Sequence, residues 1–153
     1  MRIPPGATGP MRYWPQVFVV PHVIDILSSL RDQWRLALAT NAPDSDEPDI
    51  WAALGRVGLD KLLDKVYYQR CIGHKKPSPE FFAYILNDLQ LHPSQAIMIG
   101  DDFEIDVLGA NRSGLRAIWL DERSAESRTG PLFRTIADFR ELPEALRELT
   151  DAV

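Results

Sequence analysis

From residue 17 onward, short apolar runs alternate with segments of helical periodicity. That alternation leaves few architectures open. Strands joined by helices run parallel, and a parallel sheet buries both faces beneath the helices that connect it. The runs VFVV (17–20), RLALAT (35–40), KVYYQ (65–69), AIMIG (96–100), LRAIWL (115–120) and TIADF (135–139) read as strands. Between them lie PHVIDILSSLRDQW, with Val23, Leu27, Leu30 and Trp34 at helical spacing, and DEPDIWAALGRVG, opened by acids. SPEFFAYILNDLQ follows, with Ser78 as N-cap and Pro79 at the first helical position. EIDVLGANRSG reads as a short helix stopped by Gly114, and ELPEALRELTDAV as a closing helix. The expected fold class is therefore α/β, a Rossmann-like, mostly parallel sheet flanked by helices. Residues 1–16, rich in proline and glycine, read as an irregular lead-in to a core spanning 17–153 with no cap domain. DERSAESRTG (121–130) reads as an exposed polar loop.

In open parallel sheets, ligands bind beyond the carboxyl ends of the strands. The polar residues expected there are Thr40 and Asn41 after RLALA, Lys75 and Lys76 after KVYYQ, and Asp101 and Asp102 after AIMI, with Asp106 a helical turn further on. Three acids at the mouth of one buried strand repel unless something positive lies between them. A divalent cation answers that need. A hydroxyl, an amide and a lysine beside it suit phosphoryl oxygens. Each group also has a structural reading: Thr40 and Asn41 as a strand end, Lys76 as a loop lysine, Asp102 as a helix N-cap, Asp106 as a surface acid.

Composition narrows the partners. The chain is 45% apolar and 25% charged, with a net charge of −5, so it offers no general surface for nucleic acid or anionic membrane. No apolar run approaches the length of a membrane span, and the N-terminus has no signal core. Cys71, the single cysteine, permits no intrachain disulfide and fits a reducing cytoplasm. His22, His74 and His92 read as surface or loop residues.

The segments LALATNA, GHKKPSPEFF and IMIGDDFEIDVLGANRSGLRAIWL resemble, in that order, the second, third and fourth motifs of the haloacid dehalogenase-like (HAD) superfamily. Even IADFRELPEAL is similar to the tail of that family. The resemblance covers about residues 17 to 149. It implies a magnesium-dependent phosphatase of small phosphorylated metabolites, not a nucleic-acid or membrane protein. By that alignment Thr40 and Asn41 hold phosphoryl oxygens. Lys76 offsets their charge, with Lys75 its neighbour. Asp101 is the first metal acid, and Asp102 and Asp106 compete to be the second.

The family's first motif, an apolar strand followed by Asp-x-Asp, supplies the nucleophile and the general acid/base. It has no counterpart here. Asp44-Ser45-Asp46 follows a proline rather than a strand and reads as a helix-start cluster. After VFVV stand Pro21, His22 and Val23, none of them a carboxylate. The chain thus resembles the C-terminal part of a capped phosphatase-type member. A truncation, a late start or genuine loss would each account for the missing motif. The expectation is a phosphatase-type domain that is inactive alone and binds magnesium weakly, with self-association through an exposed sheet edge if the slot of the missing strand stays open. The alternative is a non-catalytic HAD-like domain with a vestigial phosphate and metal pocket, acting by binding or assembly. A phospho-acceptor receiver domain fits less well, because its acids should follow the first strand. A dehalogenase fits less well because the Asp101–Asp106 cluster favours magnesium and phosphate.

Overall fold

A computed structural model of the chain describes residues 3–123 and 128–151, which divide into two compact units, Met1–Lys75 and Lys76–Val153. Each is an α/β assembly in its own right. Part of the loop expected at 121–130 lies outside the described residues.

The first unit contains α1 (Val23–Leu30), β1 (Ala37–Thr40), α2 (Glu47–Gly55), β2 (Lys65–Tyr68) and the short α3 (Gln69–Ile72). β1 and β2 pair in parallel, with Ala37 opposite Lys65 and Thr40 opposite Tyr68. Asp64 sets their entry: its carboxylate accepts the Leu36 N–H at 3.0 Å and pairs with Arg31 at 3.3 Å. α2 begins where the acids predict. Asp46 is its N-cap in a reciprocal capping box with Asp49, and the Asp46 N–H donates to Asp49 Oδ2 at 2.9 Å. Asp44-Ser45-Asp46 is thus a helix start. Ile50, Ala53 and Leu54 of α2 form the core with Met11, Leu59 and Val66.

Two segments of this unit differ from what the sequence suggests. VFVV is not a strand; it has only an isolated bridge residue at Phe18, while Val17 and Val19 pack on the core. Pro15 and Pro21 bracket the run, and a proline brings no N–H donor to a ladder. The lead-in has little regular structure, yet it is built into the unit. Residues Met11–Tyr13 form a 3-10 turn, and the Met11 side chain is 2% exposed. The Met11 N–H donates to the buried Ser45 Oγ at 3.0 Å, and Arg12 pairs with Asp49. Arg56 donates to the carbonyls of Trp14 and Pro15 at 2.7 and 3.2 Å.

The second unit contains α4 (Pro79–Leu89), β3 (Ile97–Gly100), α5 (Gly109–Arg112), β4 (Arg116–Leu120), β5 (Phe133–Ile136) and α6 (Leu142–Asp151). Its sheet is parallel in the order β3-β4-β5, with Gly100 opposite Trp119 and Leu120 opposite Ile136. Ser78 caps α4 by accepting the Phe81 N–H at 3.4 Å. Phe82, Leu86, Val107, Ala110, Leu115 and Ala117 form a core on the sheet. β5 starts two residues before the expected TIADF strand. Asp138 already caps the next turn by accepting the Arg140 N–H at 2.8 Å, so the chain has left the sheet by then. EIDVLGANRSG is not one α-helix either. Phe103–Leu108 is a π-helical turn, and α5 follows it. No helix among the described residues is long and apolar enough to cross a membrane.

Candidate active site

The carboxyl end of β3 organises the second unit's polar residues. After Gly100 the chain turns through Asp101 and Asp102, and Asp102 caps the π-helical turn by accepting the Ile105 N–H at 2.9 Å. Both Asp106 N–H and Val107 N–H reach back to the Asp102 carbonyl, at 2.9 and 3.4 Å. The wide turn carries Asp106 back toward β3, where its carboxylate lies against Gly100 and is buried. One oxygen, Oδ2, accepts the Asp102 N–H at 3.2 Å. The other, Oδ1, receives Lys76 Nζ at 2.7 Å.

Lys76 is itself 9% exposed, so this is a buried ion pair. Taking either charge out of water alone would cost several kcal/mol, and the partner at hydrogen-bond distance offsets that. Two glycines make the geometry possible. A Cβ at Gly100 would stand 2.1 Å from Asp106 Oδ2, and one at Gly109 would stand 2.7 Å from Pro77 Cβ. The first lets the carboxylate seat against the strand end. The second lets α5 approach the proline that follows Lys76, across a cis Lys76–Pro77 bond.

Asp101 and Asp102 are exposed. The Asp101 carbonyl accepts Trp119 Nε1–H at 3.2 Å, which ties the acid loop to β4. Among the described residues no three His, Cys, Asp or Glu side chains gather as a metal site. Asp106 is engaged by Lys76 and the Asp102 N–H, and one Asp102 oxygen caps its own turn.

Thr40 and Asn41 belong to the first unit, at the carboxyl end of β1. Opposite Thr40 stands Tyr68. Burial, and then the nearby Cys71, push the Tyr68 phenol above its ordinary 10.0, so it stays a neutral hydroxyl at physiological pH. Lys75 is exposed, as are His22, His74 and Cys71. His92 caps a 3-10 turn with Ser94.

Of the residues expected at the site, then, Lys76, Asp106 and the Asp102 backbone are in direct contact. The sequence reading passed over Gly100 as a steric requirement and did not single out Phe103, Trp119 and Arg128. Phe103 and Trp119 lie with ring centroids 4.8 Å apart beside the acid loop. An aromatic residue directly after the acid pair was the available signal for the first of them.

A parallel sheet with a buried lysine–aspartate pair and a Gly-Asp-Asp loop at its carboxyl end has the architecture of an HAD-type hydrolase core. The family model for haloacid dehalogenase-like hydrolases matches residues 9–114, and the chain belongs to that family. It is 31% identical over 144 residues to the ribulose-1,5-bisphosphate 5-phosphatase of Halopiger xanaduensis, covering 92% of this chain and 59% of that enzyme. The chain thus spans little more than half the length of that curated relative. Among solved structures it matches an uncharacterized protein from Listeria monocytogenes serotype 4b with a TM-score of 0.80 and 28% identity, covering 93% of this chain and 86% of the other. It shares its fold with the HAD hydrolase YfnB of Bacillus subtilis, solved bound to magnesium, with a TM-score of 0.73 and 23% identity over 84% of this chain and 55% of that one.

Proposed function

We propose that this chain carries the lysine and acid half of a phosphomonoester hydrolase site acting on a small phosphorylated metabolite in the cytoplasm. The observation that carries the reading is the Lys76–Asp106 pair, buried against Gly100 at the end of β3. An ion pair is an expensive way to fill a core, and its retention at a strand's carboxyl end suits a cation kept in place for an anionic ligand. Lys76 offsets phosphoryl charge, and Asp106 holds Lys76. Thr40 and Asn41 bind phosphoryl oxygens, and the phosphatase relative supports that choice of substrate class.

Asp101 and Asp102 are the acids we assign to magnesium, with Asp106 acting on the lysine instead. With so partial a shell, the chain alone binds magnesium weakly. Calorimetry should give no saturable heat at low micromolar magnesium.

Within these 153 residues no apolar run is followed by Asp-x-Asp. We therefore expect the chain by itself not to hydrolyse a generic aryl phosphate with magnesium. Turnover that disappears in Asp101→Ala would refute this. The second reading, a non-catalytic domain with a vestigial pocket, is favoured by Pro21, His22 and Val23 after VFVV, none of them a carboxylate. Adding the family's first-motif segment as a separate peptide or a fusion separates the two: restored turnover supports the hydrolase reading. Within its sheet β3 is an edge strand, which supports self-association at that edge. Sedimentation across a concentration series tests it.

A further inference from the structure

Beside the acid loop an arginine stands on an aromatic platform. Phe103 follows Asp102 directly, and its ring contacts Trp119 at 4.8 Å and Phe133 at 5.5 Å between centroids. Trp119 is opposite Gly100 in the sheet and donates its indole N–H to the Asp101 carbonyl. The Arg128 guanidinium carbon lies 5.6 Å from the centroid of Phe103 and 5.6 Å from that of Trp119. The Arg128 carbonyl is held in turn by Thr135 Oγ1–H at 2.5 Å. Arg128 is exposed, and among the described residues its guanidinium makes no hydrogen bond and no ion pair.

That combination is unusual for a surface arginine. Two rings lie within cation–π distance of the guanidinium carbon, which favours this placement of the side chain. The ring contacts occupy none of its N–H donors, whose fork geometry matches carboxylate or phosphate oxygens. It is placed among the residues that flank Asp101 and Asp102, at the carboxyl end of the sheet. Asp101, Asp102 and Glu104 nearby would repel an anion, so a cation here changes what the site can accept.

We propose that Arg128, held on Phe103 and Trp119, binds a second oxyanion group, carboxylate or phosphate, of the phosphomonoester that the site takes. This rests on the phosphomonoester reading above and adds a requirement to it: the substrate carries a further negative group away from the reacting phosphoryl. Arg128 is a specificity residue and takes no part in bond making.

The test uses the full chain and reads binding, not turnover. Nitrogen-edited NMR follows the Arg128 Nε–H and Trp119 Nε1–H signals at matched ionic strength. The probes are phosphoglycolate (phosphate plus carboxylate), a propanediol bisphosphate (two phosphates), glycerol phosphate (phosphate only) and malonate (carboxylates only). We expect one or both doubly anionic esters to bind about tenfold tighter than glycerol phosphate, as a charge-assisted bidentate contact would give. Which of the two does so tells carboxylate from phosphate. Arg128→Lys keeps the charge but loses the fork, and Arg128→Met keeps the stacking but loses the charge; each should remove most of the preference. Malonate should move the Arg128 signal in the parent chain and in Thr40→Val alike, so this outcome stands even where the phosphoryl reading fails. Arg128 and Trp119 signals that stay still with every probe, or a preference unchanged in both Arg128 variants, would overturn the proposal.

Discussion

The Asp106 carboxylate occupies the space that any side chain at Gly100 would need, since a Cβ there would fall 2.1 Å from Oδ2 and 2.4 Å from Cγ. The aspartate cannot swing away cheaply, because it is buried and bonded to Lys76 and to the Asp102 N–H. Gly100→Ala should therefore break the pair and destabilise the chain by about 3 kcal/mol or more. The control is Gly55→Ala at the end of α2, where the new methyl meets nothing nearer than 3.7 Å. That change should be neutral, or stabilise by about 0.5–1 kcal/mol. Urea unfolding of the two variants decides the matter, and equal losses would contradict the steric account.

The same pair lends itself to a double-mutant cycle. Removing either charge leaves the other buried and unpaired, so Lys76→Met and Asp106→Leu should each cost about 3–5 kcal/mol. The double variant should cost much less than the sum of the two. Additive losses would mean that Lys76 and Asp106 do not depend on one another.

Met11 tests whether the lead-in is part of the fold. Its side chain is buried in the first unit's core, and its N–H is spent on Ser45. Met11→Ala should cost about 2–5 kcal/mol by opening a cavity. Tyr13→Ala, two positions on at a residue 73% exposed, should be close to neutral. If Met11→Ala is as mild as Tyr13→Ala, the lead-in is dispensable.

Tyr68 gives the stability a pH dependence at the alkaline end. Its phenol is raised in the folded chain by burial first and then by Cys71, with a backbone hydrogen bond from Glu47 acting the other way. The folded state thus holds the phenolic proton more tightly than the unfolded one. The contribution is fully present below the unfolded value of about 10 and is lost as pH rises through the folded value. Tyr68→Phe should flatten the fall in stability above that point, measured by denaturant midpoints across an alkaline series. Cys71→Ser, which removes the neighbouring side chain that raises it, should move Tyr68 back toward its ordinary value. An identical pH profile for the parent and Tyr68→Phe would remove Tyr68 as the source.

The parts of this protein legible in its sequence are those encoded by residues a turn or two apart. The alternation of apolar runs and helical periods announced the α/β class. Asp46 and Ser78 announced the starts of α2 and α4, because a cap bonds to N–H groups two or three residues on. The residues placed at strand ends, Thr40 and Asp101 among them, followed from strand length alone. What the tertiary structure decided was the choice of partner. VFVV has the composition of a strand, yet with prolines on either side it forms no strand, and Val17 and Val19 pack on the core instead. Asp106 lies a helical turn beyond Asp101 in the chain, and it is a wide π-helical turn that delivers it to Lys76, thirty residues away. Arg128 looks like any loop charge until Phe103 and Trp119 come to lie beneath it. Periodicity and capping act along contiguous backbone, whereas a buried charge or a stacked guanidinium is settled by whichever distant group the packing brings within reach.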